Sequence, residues 1–232
     1  MKRNIEKVAV LGSGIMGSGI AAHLAGIGLN VLLLDISPKE LNEAEKAKGL
    51  RLDHPSVQKR IVNDSLTRSL KSKPSPIYNT SFANRIKTGT FENDLPHITD
   101  VDWIIEVVVE RLDIKKQVFE SVEKHRKPGT LISSNTSGIP IHLMAEGRSE
   151  DFQQHFLGTH FFNPARYLRL LELIPGPKTN QETIKFFEYF GRKFLGKSVV
   201  VAKDTPAFIG NRIGIFSIQS LFHRIKDLGM TI

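Results

Sequence analysis

The chain of 232 residues contains no cysteine, so disulfides, thiolate metal sites and a cysteine nucleophile are all excluded. It also lacks any apolar run near the roughly 20 residues that a helix needs to span a bilayer. The charged start, Met1 to Lys7, has no apolar core of the kind found in signal peptides. From these absences we predict a cytoplasmic protein without a membrane anchor, and we predict no bound metal.

The chain is also short of negative charge, because 24 Asp and Glu stand against 32 Lys and Arg and the formal net charge is +8. Such an excess attracts polyanions, although a solvated basic surface has the same composition. The basic residues are scattered, and their densest cluster, Lys71-Ser72-Lys73, contains no aromatic side chain on which bases could stack. We therefore do not predict nucleic-acid binding, and we favour a phosphate-rich small molecule as the anion.

Short apolar runs alternate with segments of helical periodicity along the whole chain. The run from Lys7 to Leu11 leads into a glycine-rich turn, a helical pattern from Ile15 to Gly26 follows with Gly28 as its C-cap, and Val31 to Asp35 is a second run. Runs that are apolar at every position belong to parallel sheets covered on both faces. The alternation predicts an α/β fold with a doubly wound, mostly parallel sheet.

Three helical segments carry specific expectations. Ser37-Pro38 predicts the start of a helix, because proline is favoured in the first helical turn. The polar pattern over about 46–76 predicts a helical insertion that projects from the sheet. The apolar pattern from Pro206 to Leu228 predicts a long helix that needs a partner chain or a further segment to cover it. We expect a first domain at 1–203 and the incomplete start of a helical second domain at 204–232.

The glycine-rich turn, Gly12-x-Gly14-x-x-Gly17, follows the first strand and opens the first helix. In this context Gly12 makes the turn, Gly14 lets the backbone approach a pyrophosphate, and Gly17 permits close packing of helix and strand. Ile15 and Met16 lie at the helix N-terminus, where free N–H groups and the helix dipole favour phosphate. This segment predicts dinucleotide binding by a Rossmann-type domain.

Asp35 ends the second strand, eighteen positions after Gly17, where it would accept hydrogen bonds from the adenosine ribose. An N-cap for the helix expected after Ser37 is the alternative role. A 2′-phosphate at about 4 Å from this carboxylate would be repelled by roughly 1 to 4 kcal/mol, and Ile36 provides no arginine to offset the repulsion. We therefore predict NAD, and not NADP, as the cofactor.

Oxidation of an alcohol by NAD needs a base near the nicotinamide, and histidine suits this role because imidazole titrates near neutral pH. Of eight histidines, His160 ends an apolar strand just before Pro164, at the edge where ligands lie in such sheets. Glu172 lies among leucines in the next strand, so its carboxylate needs a partner. We predict that His160 and Glu172 pair, which fixes the tautomer of the ring. A structural histidine is the alternative.

Further polar residues lie at the ends of other predicted elements. Asn135 could contact the nicotinamide ribose and Ser137 the substrate oxygen, although an N-cap and turn would also explain both. Asn211 is a polar residue on an apolar helix, which a helix-packing hydrogen bond would equally explain. Glu110 and Lys115 flank a turn at the ligand edge. We assign them to the cofactor, with a weak surface ion pair as the alternative.

Together these segments resemble the 3-hydroxyacyl-CoA dehydrogenase family of fatty-acid β-oxidation. The resemblance covers essentially the whole chain, and its matching pieces, in the family's order, are Gly12 to Gly17 with Asp35, Ser134 to Ser137, His160 to Pro164, Glu172, and Asp204 to Arg212. The polar insertion and the run Glu106 to Glu110 are most similar to the bacterial multifunctional type, which carries an enoyl-CoA hydratase on the same polypeptide.

The resemblance implies NAD-dependent oxidation of (S)-3-hydroxyacyl-CoA to 3-ketoacyl-CoA, with acyl-CoA as the substrate. It implies that His160 is the general base, that Glu172 orients it, and that Ser137 and Asn211 hold the oxygen at C3. It also implies a helical second domain that closes over the substrate and forms a homodimer in the full-length protein. The 232-residue chain is therefore expected to be poorly active alone.

Two other functions remain open at this point. A related 3-hydroxy-acid or sugar-acid dehydrogenase typically uses a lysine base, whereas this chain offers a His–Glu pair. A non-catalytic NAD-binding protein on a dehydrogenase scaffold would have no reason to retain Ser137, His160, Glu172 and Asn211 together. We therefore favour the 3-hydroxyacyl-CoA dehydrogenase.

Overall fold

The computed structural model describes residues 3–231. In this part of the chain eight strands form one sheet, and in chain order they are β1 (Lys7–Leu11), β2 (Asn30–Asp35), β3 (Ile86–Thr90), β4 (Trp103–Glu106), β5 (Leu131–Ser134), β6 (Phe156–Phe161), β7 (Leu170–Pro175) and β8 (Ser198–Val201). Alternate residues of β1 enter two separate core clusters, Val8 and Val10 in one and Ala9 and Leu11 in the other. Both faces of the sheet are therefore covered.

The helices lie between these strands. In the described residues they are α1 (Ile15–Gly26), α2 (Glu43–Ala47), α3 (Pro55–Gln58), α4 (Arg60–Leu70), α5 (Phe91–Asp94), α6 (Leu112–His125), α7 (Ile141–Ala145), α8 (Glu150–Gln154), α9 (Gln181–Lys193) and α10 (Gly210–Asp227), with 3₁₀ turns at Thr80–Arg85 and Leu95–Asp100. None of these helices is long and apolar enough to cross a membrane. Gly28 lies just beyond α1 with a φ of 102°, as expected for its cap.

The strand order across the sheet is β3-β2-β1-β4-β5-β6-β7-β8. All neighbours pair in parallel except β6 and β7, which are antiparallel. After β3 the chain returns to the other side of β1, so the winding direction reverses between β1 and β4. Such a reversal leaves a crevice at the carboxyl ends of the strands. The predicted doubly wound, mostly parallel sheet is confirmed.

The helix expected from Ser37 begins only at Glu43, so that prediction was wrong. Asn42 accepts a hydrogen bond from the backbone N–H of Glu45 at 2.9 Å, and the Glu45 carboxylate accepts one from the backbone N–H of Asn42 at 2.8 Å. This reciprocal capping box is a stronger start signal than a proline alone. Ser37 lies in the segment between β2 and α2, outside any helix or strand.

The polar insertion does not project from the sheet, which corrects a second expectation. It forms three short helices, and α4 packs against α1, β2 and β3. Val62 of α4 is fully buried in the main core cluster, and Leu66, four residues later, packs against the same cluster. Two apolar residues at this spacing on a polar helix are enough to attach it to the sheet.

The last helix begins at Gly210 and not at Pro206. Ala207 and Phe208 have φ values of 61° and 46°, and such left-handed backbone cannot continue a right-handed helix. From there α10 runs without a single buried residue and exposes a row of large apolar side chains: Ile213, Ile215, Phe216, Ile218, Leu221 and Phe222. The predicted apolar and uncovered helix is present, while the division into domains at 203/204 stays a prediction.

Candidate active site

A cavity of about 1200 Å³ lies at the carboxyl ends of the strands, around the point where the winding reverses. Most of the site residues predicted from the sequence line it: Gly12, Gly14, Ile15, Met16, Asp35, Glu110, Asn135, Ser137, His160 and Asn211. The other three, Gly17, Lys115 and Glu172, lie behind the lining. The cavity thus runs from the end of β2 to the histidine on β6, which is the shape needed for a long dinucleotide.

The glycine turn shows why each glycine is required. Gly12 has a φ of 110°, and a Cβ there would lie 2.6 Å from the carbonyl oxygen of Val107. A Cβ on Gly17 would overlap the carbonyl oxygen of Gly12, so helix α1 is packed directly onto the turn. Among residues 3–231, no atom beyond the adjoining backbone lies within 4 Å of the Cβ position of Gly14, which borders the cavity, and no side chain caps α1. The open space and the uncapped N–H groups fit a pyrophosphate.

Asp35 is folded back onto this turn. Its Oδ2 accepts hydrogen bonds from the backbone N–H and hydroxyl of Ser13 at 2.6 Å and 2.5 Å, and its Oδ1 accepts one from the N–H of Ile36 at 2.8 Å. An ionised carboxylate offers about four acceptor sites, so capacity remains for a ribose hydroxyl. The alternative role as a helix N-cap was wrong, because the next helix begins eight residues later at Glu43.

His160 and Glu172 form the predicted pair. They lie directly opposite each other on the antiparallel strands β6 and β7, and His160 Nδ1 is 2.7 Å from Glu172 Oε2. The imidazole is 5% exposed and packs between the rings of Phe162 and Phe208, with centroids at 4.3 Å and 5.8 Å. Because an ionised Glu172 only accepts, it places the proton of the neutral ring on Nδ1 and leaves Nε2 without one. His160 also lines the cavity.

The second oxygen of Glu172 reaches the start of α10. Glu172 Oε1 accepts hydrogen bonds from the backbone N–H groups of Ile209 at 3.1 Å and Gly210 at 2.7 Å. Burial by itself would raise the pKa of this fully buried carboxyl, but the hydrogen bonds from His160 and Gly210 outweigh burial and lower the pKa below its ordinary value. Glu172 is therefore charged near neutral pH, as the pairing requires.

Ser137 and Asn211 meet at the same end of the cavity. The side-chain amide of Asn211 donates to the carbonyl oxygen of Ser137 at 3.1 Å. Glu110 Oε1 accepts from the backbone N–H of Ser137 at 2.9 Å and from the hydroxyl of Thr136 at 2.6 Å, and it lies 3.3 Å from the Ser137 hydroxyl. Burial acts to raise the pKa of Glu110, but the bond from Thr136 and the charge of Lys115 lower it overall. The carboxylate fixes the loop that carries Ser137.

Asn135 is held by the neighbouring strand, because its Oδ1 accepts from the backbone N–H of Phe161 at 2.9 Å. Asn135 also lines the cavity. The N-cap role weighed for this segment does not occur, since α7 begins at Ile141. There the carboxylate of Asp204, for which no role was predicted from the sequence, accepts from the N–H groups of Ile141 and His142 at 2.6 Å and 2.9 Å.

Lys115 is not part of a surface ion pair, which corrects that alternative. It is 1% exposed and lies 2.7 Å from Oε1 of the fully buried Glu106 and 3.2 Å from Oε2 of Glu110. The other oxygen of Glu106 accepts from the hydroxyl of Ser134 at 2.5 Å. Burial raises the pKa of Glu106 more than Lys115 lowers it. Lys115 lies behind the cavity wall and reaches the site through Glu110.

A second cavity of about 520 Å³ was not foreseen from the sequence. It shares Gly14, Ile15 and Asn163 with the first cavity and is lined by two arginines, Arg68 of α4 and Arg166. Three serines of the α4 region, Ser65, Ser69 and Ser72, complete its polar wall. The signal in the sequence was the Arg and Ser spacing of α4 at three- and four-residue intervals, which puts these side chains on one helix face.

Known proteins resemble this chain in sequence and in structure. Residues 7–205 match the sequence model of the 3-hydroxyacyl-CoA dehydrogenase NAD-binding domain. A Bacillus subtilis protein named a probable 3-hydroxyacyl-CoA dehydrogenase is 54% identical over 218 residues, which are 94% of this chain and 28% of the relative. A Rickettsia felis protein named for the trifunctional enzyme of the fatty acid oxidation complex is 39% identical over 219 residues, again 94% of this chain and 28% of the relative.

Among solved structures, the crystal structure of FadB2 from M. tuberculosis has a TM-score of 0.75 and 28% identity, and the match covers 99% of this chain and 75% of that chain. The chain thus spans little more than a quarter of the two curated relatives above. Its match to the family model nevertheless includes the glycine turn, Asp35, His160 and Glu172. The chain belongs to the 3-hydroxyacyl-CoA dehydrogenase family and contains its NAD-binding domain.

Proposed function

We propose that this chain supplies the cofactor site and the catalytic base of an enzyme that oxidises (S)-3-hydroxyacyl-CoA to 3-ketoacyl-CoA in fatty-acid β-oxidation. The observation that carries the proposal is the position of His160. Its imidazole is paired with Glu172 on one side and borders, on the other, the cavity that begins at the glycine turn. A base and a dinucleotide site in one cavity are the two parts that alcohol oxidation by NAD requires.

NAD bound along the cavity would accept the hydride that leaves C3 of the substrate. His160 Nε2 takes the proton of the C3 hydroxyl, and Glu172 stabilises the resulting imidazolium through the 2.7 Å contact to Nδ1. Ser137 and Asn211 lie at this end of the cavity and orient the oxygen. Asp35 binds the adenosine ribose at the other end, and Asn135 and Glu110 also line the cavity. A general base typically contributes about 10² to 10⁴ in rate.

The second cavity supports an acyl-CoA substrate. Its two arginines, Arg68 and Arg166, form no ion pair with a carboxylate in residues 3–231, so their charges are available to an anion. Coenzyme A carries several phosphates, and arginine binds phosphate in bidentate fashion. Because this cavity adjoins the first through Asn163, a CoA moiety there would direct its acyl chain toward His160.

We further propose that 204–232 begins a helical domain that completes the substrate site and forms a homodimer in the longer enzyme. The support is the row of exposed apolar residues on α10, together with the greater length of the relatives. Glu172 binds the first N–H groups of this helix, so closure of the helical domain would act directly on the catalytic pair. The 232-residue chain alone would bind NADH and show little turnover.

The test uses NADH binding by this chain and reduction of acetoacetyl-CoA by a chain extended through the second domain. His160→Ala should abolish turnover and leave the Kd for NADH nearly unchanged. His155→Ala is the matched control, since His155 is also partly buried and bonded through Nδ1, to the carbonyl of Asp151 at 2.8 Å, but lies outside the cavity. Equal turnover in wild type and His160→Ala would refute the base assignment, and absence of NADH binding in wild type would refute the cofactor site.

A further inference from the structure

The end of the cavity opposite His160 holds a second carboxylate, that of Glu92, in addition to Asp35. The topology brings the two together. Strands β2 and β3 pair in parallel with Asp35 opposite Thr90, so the segments that follow both strands start side by side. Glu92 comes two residues after Thr90, in the first turn of α5, and therefore lies beside the loop that follows Asp35.

Contacts hold the Glu92 carboxylate at this place. Its Oε2 accepts a hydrogen bond from the hydroxyl of Ser37 at 3.0 Å, and its two oxygens lie 3.4 Å and 3.3 Å from the backbone N–H of Ser37. Ser37 is two residues after Asp35, and Asp35, Ile36 and Glu92 all line the cavity. Glu92 thus faces the end of the site where Asp35 would meet the adenosine ribose.

Within the described part of the chain, neither carboxylate has a cationic partner. In residues 3–231 no lysine, arginine or histidine forms an ion pair with Asp35 or Glu92. A 2′-phosphate on the adenosine ribose carries about −1.5 to −2 charge near pH 7, as a phosphomonoester does. It would therefore meet two negative groups, whereas the 2′-hydroxyl of NAD is neutral and meets no such repulsion.

Glu92 also removes the donors that a 2′-phosphate would need. A small hydroxyl residue just after β2, with its N–H and O–H free, could bind phosphate oxygens. Here both donors of Ser37 are directed to Glu92. The carboxylate therefore acts twice against the phosphorylated cofactor, by charge and by occupying its nearest hydrogen-bond donors.

We propose that Glu92 is a second specificity-determining residue, which acts with Asp35 to exclude NADP from this cavity. The proposal rests on the proposed function only in that the cavity binds NAD. Since Glu92 is exposed and screened by solvent, its effect should be smaller than that of Asp35, which would touch the ribose itself. A unit charge several ångströms from the phosphate gives about a two- to tenfold effect on affinity at a dielectric constant near that of water.

The experiment titrates the chain with NADH and with NADPH and follows cofactor fluorescence. Glu92→Gln removes the charge and keeps an oxygen for Ser37. It should lower the Kd for NADPH about two- to tenfold and change the Kd for NADH by less than twofold. Glu150→Gln is the matched control, because Glu150 is an exposed residue in the first turn of the short helix α8, away from the cavity. It should change neither Kd. Glu92→Gln is also made in an Asp35→Asn background, in which NADPH binding stays in a measurable range.

Salt separates charge from shape. If Glu92 acts by its charge, the Kd for NADPH divided by the Kd for NADH should fall in wild type as salt rises from about 0.05 to 0.5 M. In Glu92→Gln this ratio should fall less, because one of the two charges is absent. An unchanged ratio in Glu92→Gln, in both backgrounds, would overturn the inference. An equal loss of affinity for NADH and NADPH in Glu92→Gln would also overturn it, because Glu92 would then only hold the loop that carries Ser37 in place. These results differ from failure of the proposed function, in which wild type would not bind NADH at all.

Discussion

Substitution of Glu172 by glutamine replaces one carboxylate oxygen with an amide NH₂ and leaves the volume of the side chain nearly unchanged. Either orientation of the amide creates a conflict. If the NH₂ faces His160, two donors oppose each other unless the ring moves its proton to Nε2, where it can no longer act as a base. If the NH₂ faces α10, it opposes the N–H groups of Ile209 and Gly210. The structure therefore predicts a loss in both catalysis and stability.

The size of each loss follows from the contacts. Hydrogen bonds to a charged group contribute about 1.5 to 3 kcal/mol each, and Glu172 is fully buried and accepts three. Because glutamine retains one acceptor oxygen, we expect the free energy of unfolding to fall by about 2 to 4 kcal/mol. Loss of the base should lower kcat about 10²- to 10⁴-fold, equivalent to roughly 3 to 5 kcal/mol in the activation barrier.

Catalysis is measured by NADH absorbance during reduction of acetoacetyl-CoA by the chain extended through its second domain. Stability is measured by urea unfolding of the 232-residue chain. The Kd for NADH should stay within about threefold, since Glu172 lies behind the cavity lining. Glu182→Gln in the exposed first turn of α9 is the control for a change of net charge. A Glu172→Gln enzyme with more than a third of wild-type kcat would refute the reasoning.

Three further predictions concern separate groups. Asp35→Asn should strengthen NADPH binding about tenfold or more while NADH binding weakens; an unchanged preference in competition titrations would argue against it. Lys115→Met leaves the buried Glu106 without its cation and should lower the free energy of unfolding by about 3 to 5 kcal/mol. The Glu106→Gln/Lys115→Met double variant should regain part of that stability. Urea unfolding measures both variants, and a loss below about 1 kcal/mol in Lys115→Met would contradict the buried pair. Burial lowers the pKa of Lys197 from 10.5 to about 8. Between pH 8 and 10.5 the unfolded chain binds more protons at Lys197 than the folded chain does, so the free energy of unfolding should gain a component that rises with pH. Lys197→Met should remove that component. Identical pH profiles of stability in the two proteins would contradict this prediction.

The cofactor half of the site could be predicted from the sequence because its requirements are local. Gly12, Gly14 and Gly17 each answer a backbone demand within one turn, and Asp35 ends the strand that follows. The His160–Glu172 pair could be predicted as well. A carboxylate within an apolar strand needs a partner, and His160 lies at the end of the neighbouring strand. Glu106 also lies at the end of a buried strand and needs a partner for its carboxylate. On this reasoning Lys115 would have been predicted to be buried beside it.

Other features depend on contacts that no local pattern reveals. The N–H groups of Ile209 and Gly210 bind Glu172 across 37 and 38 positions of sequence. The left-handed backbone at position 207 could not be predicted either, because the residue there is alanine and not glycine. The start of α2 was different in kind. Asn42 and Glu45 have the spacing of a capping box, so the signal was present in the sequence, and the proline at position 38 misdirected the prediction.

The chain has a single tryptophan, Trp103, and its place in the sheet makes it useful. The indole is fully buried, packs edge-on against Phe187 and Phe190, and donates from Nε1 to the hydroxyl of Ser133 at 3.0 Å. Ser133 in turn accepts from Thr159, the neighbour of His160. Because indole emission overlaps the absorption of the reduced nicotinamide ring, one intrinsic fluorophore can report, without any label, both the melting of the sheet and the arrival of NADH by energy transfer.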